Sequence, residues 1–391
     1  MAITINYEPS GFASAHNPMF IELQSNQSGQ ANFKYVFDVY VNNAFATRQK
    51  VYPNPTDGKG YLDISKIVGN YFDVAQNVVD ESTKNFTTEL GLGEFFVDFK
   101  GIYGEDYSGT PFVSGTVSGT TYKAYNWSKW KSLLRSSTPK GLSDFQGRFL
   151  SNRPRVSTAY INQPVIITAW PSLGTESYLV NQIHYNGSTS IGSDTTTAFA
   201  NGNPRTGNVQ PTLFLPNSGA TSVLTELLYD PVNLAMYDDR LFNIVCHPRY
   251  TPVTLMFLNR LGGWDSFTFG LYNELSIDAE KKSFAQNPFV GRSDLIGGGF
   301  VRETNKVFAV SYKTKWKLTG DSLTKDEYIW LEELITSPLV YVYLPDTTNA
   351  RNWHPVTVAE TNYVVKNHLI DKQNFIELNI EFAEPEKSQY R

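Results

Sequence analysis

The sequence predicts a mainly β protein: antiparallel β-sandwich or barrel domains, each with a short inserted helix. Three observations carry this. Segments such as Phe33 to Val41 and Lys306 to Leu318 alternate with a period of two, the spacing at which one face of a strand is buried. Aromatics are abundant, with 25 Phe, 23 Tyr and 7 Trp among 391 residues, and such side chains fit a pleated, half-buried surface. Helical periodicity is confined to two short stretches, 63–72 and 324–337.

Residues 1–105 read as an N-terminal β domain. Phe33, Tyr35, Phe37, Val39 and Val41 share one strand face, and Asn42-Asn43 is a turn into the pairing segment Phe45 to Tyr52. Asp63 is placed to cap a helix whose Ile64, Ile67, Val68 and Tyr71 fall on one face. Residues 106–145 are irregular and read as an extension or arm containing Trp127 and Trp130. Residues 146–239 form a second β region with an exposed loop at 187–207, rich in Ser, Thr, Gly and Asn. Residues 240–391 form a C-terminal β domain. Its helix, 324–337, opens on a Thr324/Glu327 capping box with Leu323 and Tyr328 as a hydrophobic staple. Tyr328, Leu331, Leu334 and Ile335 make its apolar stripe, and Ser337-Pro338 ends it. Met1 to Asn17, 106–145 and 187–207 are the candidate arms.

The most informative stretch runs from Val253 to Phe269. Val253 to Leu258 is an unbroken apolar run, as in a strand buried on both faces. Gly262-Gly263 marks a tight turn, and Trp264 to Phe269 alternates again. Trp264 at the corner of this hairpin is either a ligand-stacking ring or an anchor in a core or interface. The anchor is the expected reading, because buried aromatics mostly pack.

This stretch also resembles a segment of structural virion proteins from phages and prophages of the Bacteroidota. It stands here as Asn259-Arg260-Leu261-Gly262-Gly263-Trp264-Asp265 between an apolar strand and alternating aromatics. The order of long strand, capped helix and three strands is similar to the sandwich-plus-helix unit of phage tail-tube, distal-tail and baseplate-hub proteins. The resemblance implies a non-enzymatic tail, baseplate or neck-ring component, made in the host cytoplasm and located in the virion. It implies self-association into a ring, hexameric or dodecameric, beside other tail proteins. Gly262, Gly263, Trp264, Asp265, Trp127 and Trp130 are then the structural or interface candidates.

No residue pattern argues for catalysis, a cofactor or a metal. The chain has no Gly-x-Ser-x-Gly, no phosphate loop and no His-Glu-x-x-His. Its five histidines are scattered, and the carboxylate pairs Asp238-Asp239, Glu332-Glu333 and Glu384/Glu386 lack any companion motif. The single cysteine, Cys246, excludes an internal disulfide. A net charge of −5 supplies no global footprint for nucleic acid. No apolar run approaches the roughly 20 residues of a membrane span, and no secretory signal is expected at the N-terminus. Two rivals stand beside the structural reading. One is a receptor- or carbohydrate-binding module at a tail tip, using Trp127, Trp130 and Trp353 against host glycans. The other is a hydrolase, for which the sequence offers no site.

Overall fold

The computed structural model describes residues 3–9, 12–15, 18–71, 77–80, 85–88, 96–107, 110–125, 148–170, 178–198, 210–229, 235–245, 248–285, 305–321, 323–344, 353–359, 375–383 and 387–390. It is mainly β, with antiparallel sheets in sandwich-like arrangement and a few short helices. Two compact units emerge. One is Met1–Cys246 with Leu258–Ser266; the other is His247–Phe257 with Phe267–Arg391. The segments 1–105 and 146–239 both fall in the first of these units.

The first unit opens with β1 (Ile3–Tyr7), β2 (Phe12–Ser14), β3 (Phe20–Ser25), β4 (Lys34–Val41), β5 (Ala44–Val51), β6 (Gly60–Asp63) and α1 (Ser65–Gly69). Then come β7 (Asn77–Asp80), β8 (Asn85–Thr88), β9 (Phe96–Tyr107), β10 (Thr110–Ser118) and β11 (Tyr122–Tyr125). A sheet of order β1-β3-β6 and one of order β2-β11-β9-β4-β5 contribute to one core, and β10 adds to β9. The alternation from Phe33 to Val41 sends all five of its apolar residues into that core. Asn42 and Asn43 turn the β4–β5 hairpin at φ 50° and 64°, the left-handed region that asparagine tolerates better than most residues. The Asp63 carboxylate accepts from the backbone N–H of Ser65 at 2.9 Å and of Met19 at 3.0 Å. It thereby fastens the start of α1 beside β3. Ile64 and Val68 are buried, but the helix ends at Gly69 and Tyr71 is exposed, so the expected stripe stops one residue early.

Two expected arms are sheet instead. Over its described residues the N-terminal stretch pairs as β1 on β3 and, in parallel, β2 on β11. Glu8 holds it there, accepting from the Tyr103 hydroxyl at 2.6 Å and the Tyr122 hydroxyl at 3.0 Å. Residues 110–125 form β10 and β11 against β9 rather than an irregular extension. Trp127 and Trp130 lie outside the described residues.

The same unit continues with β12 (Arg148–Phe149), β13 (Val156–Tyr160), β14 (Val165–Trp170), β15 (Tyr178–Asn186), β16 (Thr189–Ala198), β17 (Gln210–Phe214), β18 (Ser222–Tyr229) and β19 (Ala235–Val245). Their sheets run β12-β14-β17-β8-β7 and β13-β19-β18-β15-β16. Ala159, Val165, Val223, Phe242 and Ile244 form a shared core. The expected loop at 187–207 is corrected here: Thr189 to Ala198 is a strand, paired along its length with β15. It is an edge strand whose described side chains are mostly exposed, so it has no apolar face to betray it in the sequence.

The second unit holds all of β20 (Val253–Leu258) but its last residue and the end of β21 (Trp264–Phe269), then β22 (Asn273–Ala285), β23 (Asn305–Thr319), α2 (Lys325–Trp330), α3 (Glu332–Thr336), β24 (Val340–Tyr343), β25 (Trp353–Val358), β26 (Glu377–Phe382) and β27 (Lys387–Tyr390). One sheet of order β21-β20-β24-β25-β26-β23-β22 contains the strands, with β27 on β23. The capping box is present: Thr324 accepts from the Glu327 N–H, and the Glu327 carboxylate accepts from the Thr324 N–H at 3.0 Å. The helix breaks at Leu331 into two short pieces. Leu323, Tyr328, Trp330, Leu331 and Leu334 still pack into one core with Phe257, Phe267 and Leu318.

Candidate functional site

The Gly-Gly-Trp stretch folds into the expected hairpin, and its tip is organised by Asn259. The Asn259 N–H donates to the Gly263 carbonyl at 2.8 Å, and the Gly262 N–H donates back to the Asn259 carbonyl at 3.1 Å. The Asn259 Oδ1 accepts from the N–H of Leu261 at 2.9 Å and of Gly263 at 3.0 Å. This is an asparagine side chain standing in for backbone at the turn. Gly262 takes φ 79°, where a Cβ would be strained.

The tip is pinned to the strand-and-loop segment around β12 and β14. Asn259 Nδ2 donates to the Leu150 carbonyl at 2.6 Å and to Asp265 Oδ2 at 3.1 Å. Asp265 Oδ2 also accepts from the Ser151 hydroxyl at 2.8 Å. Thr168 and Trp264 exchange two bonds: the Trp264 N–H donates to Thr168 Oγ1 at 2.7 Å, and that hydroxyl donates to the Trp264 carbonyl at 3.1 Å. Ser266 Oγ accepts from the Ile166 N–H at 2.9 Å. A Cβ on Gly263 would stand 2.6 Å from the Leu150 carbonyl oxygen and 3.0 Å from Thr168 Cβ. Glycine is therefore required at 263 by close backbone approach, a different reason from that at 262.

Arg153 braces the same region from inside. It is buried, and its guanidinium donates to Ser157 Oγ at 2.9 Å and to the Ser266 carbonyl at 3.1 Å, and stacks 4.7 Å from the Phe242 ring centroid. Buried polar groups stabilise a fold only when they are satisfied, and then they specify one geometry. The Asn259–Asp265–Ser151 cluster with Arg153 is a buried polar network. The bonds described run to backbone, within the cluster and, from Arg153, to the Ser157 hydroxyl, and they hold geometry.

Of the sequence candidates, Gly262, Gly263, Trp264 and Asp265 therefore come together. Trp264 is only 6% exposed, which leaves no face for a stacked ligand. Their partners Asn259, Ser151, Arg153, Thr168 and Ser266 are not among the sequence candidates. Asn259 carries a signal, an asparagine three residues before a glycine pair, whereas Ser151 and Thr168 carry none. Trp353 is half-buried and packs its ring 5.0 Å from that of Tyr343.

Of the other carboxylate pairs, Asp238-Asp239 resolves into ordinary structure, and Glu384 and Glu386 lie outside the described residues. Asp238 pairs with Arg240 at 2.6 Å and Asp239 with Arg155 at 2.7 Å, so the two carboxylates serve separate arginines. Elsewhere on the first unit, Asp57 accepts from the Tyr61 hydroxyl and the Lys59 N–H within its turn, and the first of these bonds pushes the pKa of the Tyr61 hydroxyl up to about 12. Among the described residues no group of three or more His, Cys, Asp and Glu side chains is placed to hold a metal ion. No described helix is long and apolar enough to cross a membrane. Cys246, His247, His16 and His368 lie outside the described residues.

A second feature lies on the surface of the second unit. β22 is 13 residues long, and every one of its residues after Asn273 is exposed. It is hydrogen-bonded to β23 alone among the described strands. Its two faces differ. Leu275, Ile277 and Ala279 lie opposite Trp316, Thr314 and Tyr312, while Glu274, Ser276 and Asp278 lie opposite Lys317, Lys315 and Lys313.

No family model matches the chain, and no curated protein matches it. Among solved structures it is similar to extracellular domains 3–5 of Drosophila OTK, at 8% identity over 80% of this chain and 92% of that one, with a TM-score of 0.23. It is also similar to a marsupial T cell receptor, at 9% identity over 80% of this chain and 96% of that one, with a TM-score of 0.19. Likenesses at this level carry no argument about function.

Proposed function

We propose that the chain is a structural component of a bacteriophage virion, placed in a tail, baseplate or neck ring and assembled through β-rich interfaces. The observation that carries the reading is the Gly-Gly-Trp-Asp hairpin. The stretch that resembles the phage proteins is the stretch around which buried polar bonds are concentrated, and those bonds fix geometry rather than expose reactive groups. Fixed geometry is what a ring subunit needs, because small angular errors between neighbours accumulate around a closed ring. The exposed face of β22 supplies surface on which a neighbour can dock.

Purified particles of the phage or induced prophage encoding the chain test the reading. Mass spectrometry of separated heads and tails should find the chain in the tail fraction, in many copies. Absence from particles, or enzymatic turnover of peptidoglycan or capsule by the purified chain, would overturn it. Specific glycan binding by the isolated chain would favour a receptor-binding module instead.

A further inference from the structure

We propose that β22 is a docking edge for a second copy of this chain, which lays its own β22 antiparallel against it about a two-fold axis at Asp278. The contact stands on this strand alone and does not depend on the virion reading. Among the described residues, the sheet of the second unit ends in two unlike edges. At one end β21 is buried at every residue; at the other, β22 is exposed almost throughout. An edge strand of this length presents a row of backbone donors and acceptors that invites another strand. Head-to-tail strand addition through this sheet would need two open edges. A sheet with one open edge can satisfy it by pairing with its own equivalent, which is an isologous contact.

The charge order of β22 suits that pairing. Acidic residues stand toward its start, Glu274, Asp278 and Glu280, and basic residues toward its end, Lys281 and Lys282. In an antiparallel alignment centred on Asp278, Glu274 of each copy lies opposite Lys282 of the other, and Ser276 lies opposite Glu280. On the second face Ile277 meets Ala279, and Leu275 meets the aliphatic stem of Lys281. Directly opposed side chains of this kind are the units that stabilise a sheet. Asp278 meets its own equivalent on the axis, where each carboxylate is paired with Lys315 of its own chain at 3.1 Å. Leu275 and Ile277, 61% and 64% exposed in the single chain, continue an apolar face across the joined strands.

Sedimentation of the full-length chain over a concentration series tests this. The wild type should self-associate, more weakly as salt is raised. Glu274→Lys and Lys282→Glu should each weaken association about tenfold or more, since two symmetric pairs change from attraction to repulsion. The double substitution Glu274→Lys/Lys282→Glu should restore it, because the exchanged charges again oppose one another across the axis. Far-UV spectra should be unchanged, and unfolding compared at concentrations where all variants are monomeric should shift only slightly, since these side chains are exposed although Glu274 faces Lys317 of its own chain. In a Cys246→Ser background, Asp278→Cys should form a covalent dimer on oxidation, as opposed strand positions lie within disulfide reach. A wild type that stays monomeric, single variants that associate like it, a double variant as weak as the singles, or no cross-link at 278 would each overturn the proposal.

Discussion

Asn259 donates its side-chain amide to the carbonyl of Leu150 at 2.6 Å, a bond between residues 109 apart in sequence. The same side chain accepts from the turn N–H groups of Leu261 and Gly263. One asparagine therefore both shapes the hairpin tip and fastens it to a distant segment. Asn259→Leu keeps the number and branching of side-chain heavy atoms, though methyl groups are bulkier, and removes every one of these side-chain bonds. Buried groups left unsatisfied cost about 1–3 kcal/mol each, so the variant should lose roughly 3 kcal/mol or more in urea unfolding. A loss within about 0.5 kcal/mol, the range of ordinary surface changes, would contradict the pinning.

Gly263 and Gly187 separate two reasons for glycine. Gly187 has φ 59° and open space where a Cβ would stand, with nothing within 4 Å, whereas at Gly263 the obstacle is the Leu150 carbonyl at 2.6 Å. Gly187→Ala should cost about 1 kcal/mol from backbone strain alone. Gly263→Ala should cost more, about 1–3 kcal/mol or beyond, because backbone must shift. Equal effects in parallel denaturation curves would show that the tip is not closely approached.

The helix of the second unit offers a graded test. Thr324→Ala removes one side of the capping box and should cost about 1 kcal/mol. Leu331→Asp places a carboxylate at a wholly buried position and should cost on the order of 4 kcal/mol or leave the protein unfolded. Wild-type stability in both variants would remove the helix from the core.

These elements show what is legible in the sequence. The β class, the hairpin and the capping box are written in local spacing, because period-two alternation, paired glycines and a Thr-x-x-Glu box each report on neighbouring residues. β1, β2 and β16 are not legible. β1 and β2 are held by pairing with strands that are not their neighbours in sequence and by Glu8 reaching Tyr103 and Tyr122, while β16 pairs with its neighbour β15 but has a polar pattern of its own. The partners of the candidate site are hidden for the same reason: Ser151 and Thr168 matter only once the chain has brought them to 265 and 264.

Tyr103 should contribute to a fall in stability at alkaline pH. Burial first, and then its bond to the Glu8 carboxylate, hold its hydroxyl well above the ordinary value of 10.0. A group raised in the folded state contributes fully below its unfolded value and loses that contribution as pH rises past it. Stability should therefore decline above about pH 10, where the unfolded tyrosine ionises and the folded one does not. Tyr103→Phe should flatten that decline in unfolding curves taken from about pH 8 to 11, the range that brackets the unfolded tyrosine. An unchanged slope would show that Tyr103 is not the group responsible.

The most direct test of the virion assignment is cryo-electron microscopy of intact particles with the chain located in the averaged density. The account predicts multiple copies arranged as a ring around the tail axis, each with the Asn259–Asp265 hairpin buried inside its own subunit. A single copy per particle, or copies scattered over the capsid with no axial ring, would contradict it.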